Sequence, residues 1–469
     1  MFVRKKKNKS GSVSIQIIQK HQGRYKVIRT IGSSDNPIEV DRLYHEGLKV
    51  IPHLFNQTTL YTPPIGLPEI TELGNDDIRV VGPELIFGRI FDSIGFNQIP
   101  DSLFRDLVIS RITHPGSKLK LSDYLRQNNK QDISADNIYY FLDKLNKKYK
   151  DEVEQISFRH TKKLLNNQVG VVFYDMTTIY FESSKPDELR QTGFSKEGKH
   201  QHPQIYLGLL VGRNGYPIGY DIFEGGIYEG HTLIPFLEKF EQKFGLSKPI
   251  VVADAGLLSS DNISALQSQG YGFILGARIR NEAKSIKKGI LQSNYNDGQV
   301  AKIERNDQTV LYVSYSDKRA LKDKSNRERG LKRLEKSLKS GKLTKSSINK
   351  RGYNKYLKLK GEIEITIDYQ KFNDDDKWDG LKGYITNTNL SGNDVIDKYN
   401  NLWKIERAFR ISKTDLQIRP IYHRLRHRIE AHICVSFASY VLYKDLERTL
   451  SEHSEISMNK AVEVINKMY

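Results

Sequence analysis

The run VVFYDMTTIY is apolar enough to be a buried strand, yet it carries a carboxylate, Asp175, at its centre. An isolated charge in such a place is strongly disfavoured, so the side chain needs a partner or a metal. The run therefore fixes both a strand inside a sheet and a charged group that the sheet must present at an opening. After it, IYLGLLVGRNGYPIGYDIF reads as a hairpin whose Asn214-Gly215 pair suits a type I′ turn. Next come a helix in HTLIPFLEKFEQKF, a short strand in KPIVVADAG ending at Asp254, a helix in SDNISALQSQG stopped by Gly270, and a strand in YGFILGAR. The order is β-β-β-α-β-α-β.

That order is the one found in the ribonuclease H-like fold, an α/β architecture in which the first strand and the strand after the first helix lie side by side. Asp175 and Asp254 would then be neighbours in space although far apart in sequence. Taken singly, an Asp at a strand end also serves as a turn former or as the cap of the next helix. Taken together, two like charges at short range raise each other's pKa unless a cation neutralises them, which points to a divalent metal. A hard ion held by oxygen ligands is Mg2+ or Mn2+.

Charge identifies the kind of partner. Against 56 Asp+Glu the chain has 74 Lys+Arg, a net charge of +18, which favours a polyanion such as nucleic acid. Residues 318–360 hold seventeen Lys/Arg and three Asp/Glu. Within them Leu331, Leu334 and Leu338 recur at i, i+3 and i+7 among Lys332, Arg333, Lys336 and Lys339, the pattern of an amphipathic helix with a cationic outer face. A solvated surface helix and a phosphate-contacting arm share this pattern, and the second is the preferred reading. The strands QTVLYVSYS and GEIEITIDYQKF flank the arm, so 281–380 reads as an insertion into the α/β core.

A third acid is sought on DKYNNLWKIERAFRISK, expected to lie in one long helix from about Asn393 to Ser412. In an unbroken helix Tyr399, Leu402, Glu406, Arg410 and Lys413 share a face. That face makes sense if Glu406 completes the metal site while Tyr399 and Lys413 contact a DNA backbone. An ordinary surface helix with Glu406 paired to Arg410 gives the same spacing.

Asp175, Asp254 and Glu406, with the spacing Tyr399, two residues, Leu402, three residues, Glu406, six residues, Lys413, resemble the Asp-Asp-Glu transposases of bacterial insertion sequences. The likeness is to the insertion-sequence-four-like group with its Tyr-Arg-Glu-Lys signature, and it runs from about 165 to 445. Three of the four signature positions match; Leu402 stands where the signature has Arg, and Arg410 or Lys404 is the candidate replacement for that contact. The resemblance implies a DNA transposase: an enzyme that binds terminal inverted repeats, hydrolyses a phosphodiester at the transposon end and transfers the freed 3′-OH into target DNA. It further implies two divalent ions, Asp175 bridging both while Asp254 and Glu406 each hold one, and a homodimer formed on double-stranded DNA. A non-catalytic DNA-binding protein of transposase origin is the alternative. A haloacid-dehalogenase-type phosphotransferase, which FYDMTT faintly resembles, lacks its downstream acids here.

The expected organisation is a hairpin plus mainly helical DNA-binding region over 1–165, a first core part over 166–280, the insertion over 281–380, a second core part with the Glu406 helix over 381–445 and a tail over 446–469. In the first region VSIQIIQKHQGRYKVIRTI is a hairpin turning at Gly23, RKKKNK reads as a frayed terminus, and three short helices, one opening at a Ser134 cap, are a candidate helix-turn-helix. Cys434 is alone and cannot form an internal disulfide, and the histidines lack zinc spacing, leaving them as DNA contacts or core residues. With no signal-peptide pattern after MFVRKKKNKSGS and no apolar stretch long enough to span a membrane, the expected location is cytoplasmic, at the nucleoid.

Overall fold

The computed structural model describes residues 1–21, 23–53, 79–129, 132–182, 185–195, 198–305, 307–349, 352–360 and 364–469, and it divides into two compact units, 1–78 and 79–469. Among its described residues the first unit has a three-stranded antiparallel sheet, β1 (Phe2–Lys7), β2 (Val13–His21) and β3 (Arg24–Ser34), and the helix α1 (Pro37–His53). The hairpin turns at Gly23, whose φ of 77° only glycine adopts without strain. The basic start is not frayed: β1 pairs with β2, and Val3 packs with Ile15, Ile17, Val40 and Leu43 and fixes the strand.

The second unit opens with helices α2 (Arg89–Ile94), α3 (Ser102–Thr113), α4 (Lys118–Asn129), α5 (Ala135–Lys144) and α6 (Lys150–Leu164). Ser134 caps α5 by accepting from the Asn137 amide. Strands β4 (Val171–Tyr180), β5 (Gln204–Val211) and β6 (Pro217–Glu224) follow, then α7 (Leu233–Phe244), β7 (Ile250–Ala253), α8 (Ser260–Ser268) and β8 (Phe273–Ala277). The expected β-β-β-α-β-α-β order is therefore present. Asn214 and Gly215 sit at φ of 62° and 75°, as the hairpin turn requires.

The chain continues through α9 (Lys284–Gln292), β9 (Val300–Glu304), β10 (Val310–Tyr315), α10 (Asp317–Lys339), β11 (Leu357–Lys360), β12 (Glu364–Ile367), α11 (Tyr369–Asp374) and β13 (Leu381–Thr386). It ends with α12 (Gly392–Asn400), α13 (Trp403–Arg410), α14 (Arg426–His453) and α15 (Met458–Ile465). Among the described residues the main sheet has the order β6-β5-β4-β7-β8-β13-β10-β9. Its first five strands have the ribonuclease H-like arrangement, β4, β7 and β8 parallel and β5 antiparallel to β4. The insertion is only partly an appendage, since β9 and β10 extend this sheet by pairing outward from β13. Beyond them α10 lays Leu334, flanked by Leu331 and Leu338, on a small core of Tyr356, Leu357, Ile367 and Phe372, and leaves Lys332, Arg333, Lys336 and Lys339 exposed.

Of the helices before β4, α3 has residues Leu103–Thr113 nearly all buried, and α3 and α5 pack on α14, so α3 is a core helix. His423 and His432 belong to the same interior, their ring centroids 5.4 Å apart; burial pushes His423 down to about 3, so it is neutral in the fold. Among the described residues no helix is long and apolar enough to cross a membrane.

Candidate active site

Alternation along the strands decides where the acids point. In β4, Phe173 faces the helices α12, α13 and α14, whereas Tyr174 and Met176 face α7 and α8; in β7, Val252 lies on the first side, Val251 and Ala253 on the second. Asp175 and Asp254 therefore both face the α12–α13 side. Tyr174 pairs with Ala253, so the two acids are the next residues on adjacent parallel strands, which are about 4.8 Å apart. Asp175 is half-buried and accepts from the Met176 amide at 2.7 Å.

Asp254 does not play the ordinary part of a strand-end Asp. Its side chain makes no capping bond to the short turn that follows, and Ser259 caps α8 instead. It accepts a hydrogen bond from the Tyr399 hydroxyl at 3.2 Å. Tyr399 comes that close because β8 has Gly276 at the crossing point: a Cβ there would lie 2.5 Å from the hydroxyl. Burial, then the charges of Asp254 and Glu406, push the Tyr399 phenol up, so it stays a protonated donor.

The helix carrying these residues is not the single one expected. It stops at Asn400, where Asn401 bonds its side chain to the Asp397 carbonyl and the Leu402 amide reaches back three residues to Tyr399. Asn competes with helical backbone in this way, which explains a break at the Asn400-Asn401 pair. Helix α13 then starts at Trp403 and packs against β4 and β5, and after Arg410 the chain widens into a π turn, Ile411–Asp415, closed by the Leu416 amide on the Ile411 carbonyl at 2.9 Å. Tyr399 and Glu406 thus lie on two successive helices, and the charge of Glu406 reaches the Tyr399 phenol.

Leu402 is 8% exposed and lies in the main core, so a contact at this position is structural. Lys404 donates to Asn214 at 3.1 Å, beside the β5–β6 turn. Tyr399 is buried, with its hydroxyl on Asp254. Glu406 and Arg410 are exposed, and Lys413 is half-exposed on the π turn.

One residue of the site had no signal in the sequence. Lys382 of β13 faces the same side, its ammonium 4.5 Å from the Tyr399 ring centroid and 5.3 Å from that of Tyr384. Burial and the nearby Arg319 pull its pKa down, while Asp254 and Glu406 pull it back up. It also lines a basic cleft of about 720 Å3 with Arg278, Arg280, Arg319, Arg327 and Lys355. A lone Lys in the strand LKGYIT has no pattern to mark it; only the sheet places it between the acids and the cleft.

As a metal site, Asp175, Asp254 and Glu406 offer oxygen donors only, the chemistry a hard divalent cation takes. Two of them are one strand apart, and the charge of the third reaches the same Tyr399 and Lys382 as that of Asp254. Among the described residues no three His, Cys, Asp or Glu side chains are drawn together around one point. The donor set fits the ion in chemistry.

The sequence profile of the family described as Transposase DDE domain matches residues 168–442, a span that contains all three acids and Lys413. No curated protein matches the sequence. Among solved structures, similarity is found to a piggyBac transposase synaptic complex with hairpin DNA, at 10% identity and a TM-score of 0.42, covering 85% of this chain and 73% of that one. A Mos1 transposase paired-end complex with the left transposon end is similar at 9% identity and a TM-score of 0.17, covering 49% and 66%. The Mos1 strand transfer complex gives 8% identity and 0.17, covering 51% and 68%.

Proposed function

The chain belongs to the Transposase DDE domain family, and from that premise we propose that it is an insertion-sequence transposase of the insertion-sequence-four-like group, with Asp175, Asp254 and Glu406 as its catalytic acids. The observation that carries this reading is the register of β4 and β7, which sets two carboxylates side by side on the face that the Glu406 helix covers. DDE transposases use divalent metals, and Asp175, Asp254 and Glu406 would hold two Mg2+ or Mn2+ ions. Bound there, such ions supply an activated water and stabilise charge on the entering and leaving oxygens.

This chain's own residues account for the rest. Tyr399 fixes the Asp254 carboxylate through its hydroxyl and carries Lys382 on its ring. Lys382, Arg410 and Lys413 contact phosphates around the reacting one. At the transposon end the water oxygen bonds to phosphorus and the P–O3′ bond breaks, leaving a 5′-phosphate and a 3′-OH. The 3′-OH then attacks a target phosphodiester, displacing the target's own 3′ oxygen. No covalent protein intermediate is required. Two ends are brought together by a dimer formed on DNA, and the exposed face of α10 holds flanking DNA by its phosphates.

Nicking of labelled duplexes taken from the DNA on either side of the gene tests the reading. Lys382→Met tests the site's edge in the same assay. It should slow nicking by about ten- to a hundredfold through misplacement of the strand, with much less effect on binding. Equal rates for the variant and the wild type would remove Lys382 from the site.

A further inference from the structure

Four basic side chains meet in the interior of the helical layer. Arg111 near the end of α3 is 5% exposed, Lys118 at the start of α4 6%, His423 of the 417–425 loop 8% and His432 of α14 5%. The Arg111 guanidinium lies 3.4 Å from His432 Nδ1, and the two imidazole centroids are 5.4 Å apart. The charges of Lys118 and Arg111 reach both rings, and that of Arg111 reaches Lys118.

Negative charge does not accompany them. Among the described residues neither Arg111 nor Lys118 forms an ion pair. The acid whose charge reaches His423 is Asp143, and Arg428 holds both of its oxygens at 2.7 Å. A guanidinium cannot shed its proton inside a protein, and a buried charge without a partner is strongly disfavoured. The protein acceptors of Arg111 are distant and neutral: the Gln417 carbonyl at 3.4 Å and His432 Nδ1, whose ring donates from Nε2 to the Ile418 carbonyl at 2.9 Å. The Lys118 ammonium and the His423 ring are both more than nine-tenths buried, and among the described residues neither has a hydrogen-bond partner. Guanidinium, ammonium and imidazole donors are thus all left with capacity to spare at one place.

We propose that Arg111, Lys118 and His423 form a binding site for a small oxyanion of the phosphate type, seated where α3, α4 and the 417–425 loop meet. A tetrahedral oxyanion accepts from all three kinds of donor at once, and charge-assisted bonds of this sort are the strong ones. It also balances the two buried cations. Side chains with 8% or less of their surface exposed admit a small ion and exclude a duplex, so the site takes a free anion and is separate from the DNA-contacting surfaces. The ion joins α3 and α4 to the loop that follows the Lys413 turn, and so steadies the segment leading away from Glu406. The site goes beyond the transposase reading and stands without it.

The test titrates the full chain with sodium phosphate in a calorimeter, with ionic strength held constant by NaCl, and follows its thermal melt over the same range. The wild type should bind a single phosphate and melt higher by about 2 to 5 °C once phosphate reaches a hundred times its dissociation constant. Lys118→Met keeps the buried stem and removes the charge. It should bind phosphate at least about tenfold more weakly and lose the melt shift, while melting without phosphate no lower than the wild type. Lys120→Met alters an exposed cation of the same helix and should behave as the wild type does. If Lys118→Met does not fold, His423→Phe, which removes a ring donor and leaves both cations, should show the weakened phosphate binding instead. Phosphate binding by Lys118→Met equal to that of the wild type would overturn the proposal, as would no saturable binding by the wild type. A melt shift as large with chloride alone would overturn the oxyanion class. Weaker duplex binding by Lys118→Met, with no phosphate binding by the wild type, would give these cations to DNA and overturn the free-anion site. Nicking of flank DNA is measured separately, so failure here leaves the transposase reading as it was.

Discussion

Asp254→Ala is expected to lower strand cleavage by about a thousandfold or more, the scale seen when a group that stabilises transition-state charge is removed, while binding of end DNA changes little. The variant is a clean test because Asp254 makes no capping bond to the turn that follows it and, among the described residues, forms no ion pair; its bond is to Tyr399, which remains packed in the core without it. Cleavage and binding are measured on the same flank duplex, the first by gel and the second by anisotropy. Nicking at the wild-type rate would show that the acids on β4 and β7 are not the reacting centre.

The second large effect concerns α10. Replacing Lys332, Arg333, Lys336 and Lys339 with Gln should weaken DNA binding about a hundredfold near physiological salt and make the log-log salt dependence shallower by roughly three to four units, since each phosphate contact contributes about 0.9. The loss should be the same for cognate and shuffled duplexes, because phosphates carry no sequence. Neutralising these side chains is preferable to deleting the arm: all four are exposed, whereas Leu334 of the same helix covers Tyr356, Leu357, Ile367 and Phe372, which deletion would lay bare. A loss confined to the cognate duplex would contradict the phosphate-arm assignment.

Much of the core was legible because its signals are local. The apolar run around Asp175, the Asn214-Gly215 turn and the Ser134 cap each follow from a few adjacent residues, and the strand order fixed by such signals placed Asp175 beside Asp254. The leucine spacing of 331, 334 and 338 likewise identified the buried stripe of α10.

What was missed depends on packing between distant segments. The break at Asn400-Asn401 lies within an uninterrupted amphipathic pattern, so only the fold shows that Leu402 is core and that Tyr399 turns toward Asp254. The helices of 102–144 have ordinary helical patterns, and nothing local shows that α3 and α5 pack on α14. A basic strand such as FVRKKK looks like a loose terminus until its pairing with β2 and the burial of Val3 are known. Lys382 gains its place only when β13 lies beside β8.

The central claim is that three carboxylates from β4, β7 and α13 form one metal-dependent cleavage site. It is tested most directly by Mg2+-dependent cleavage of a labelled duplex carrying the gene-flanking end, with wild type beside Glu406→Ala. Glu406 is the acid that comes from a helix and not from the paired strands, so it is the most demanding of the three. Cleavage at the end boundary by the wild type alone, with both proteins binding the duplex equally, is the predicted result. Equal cleavage by both would contradict the assignment of the third acid, and binding without cleavage in both would make the chain a DNA-binding protein that has lost its catalysis.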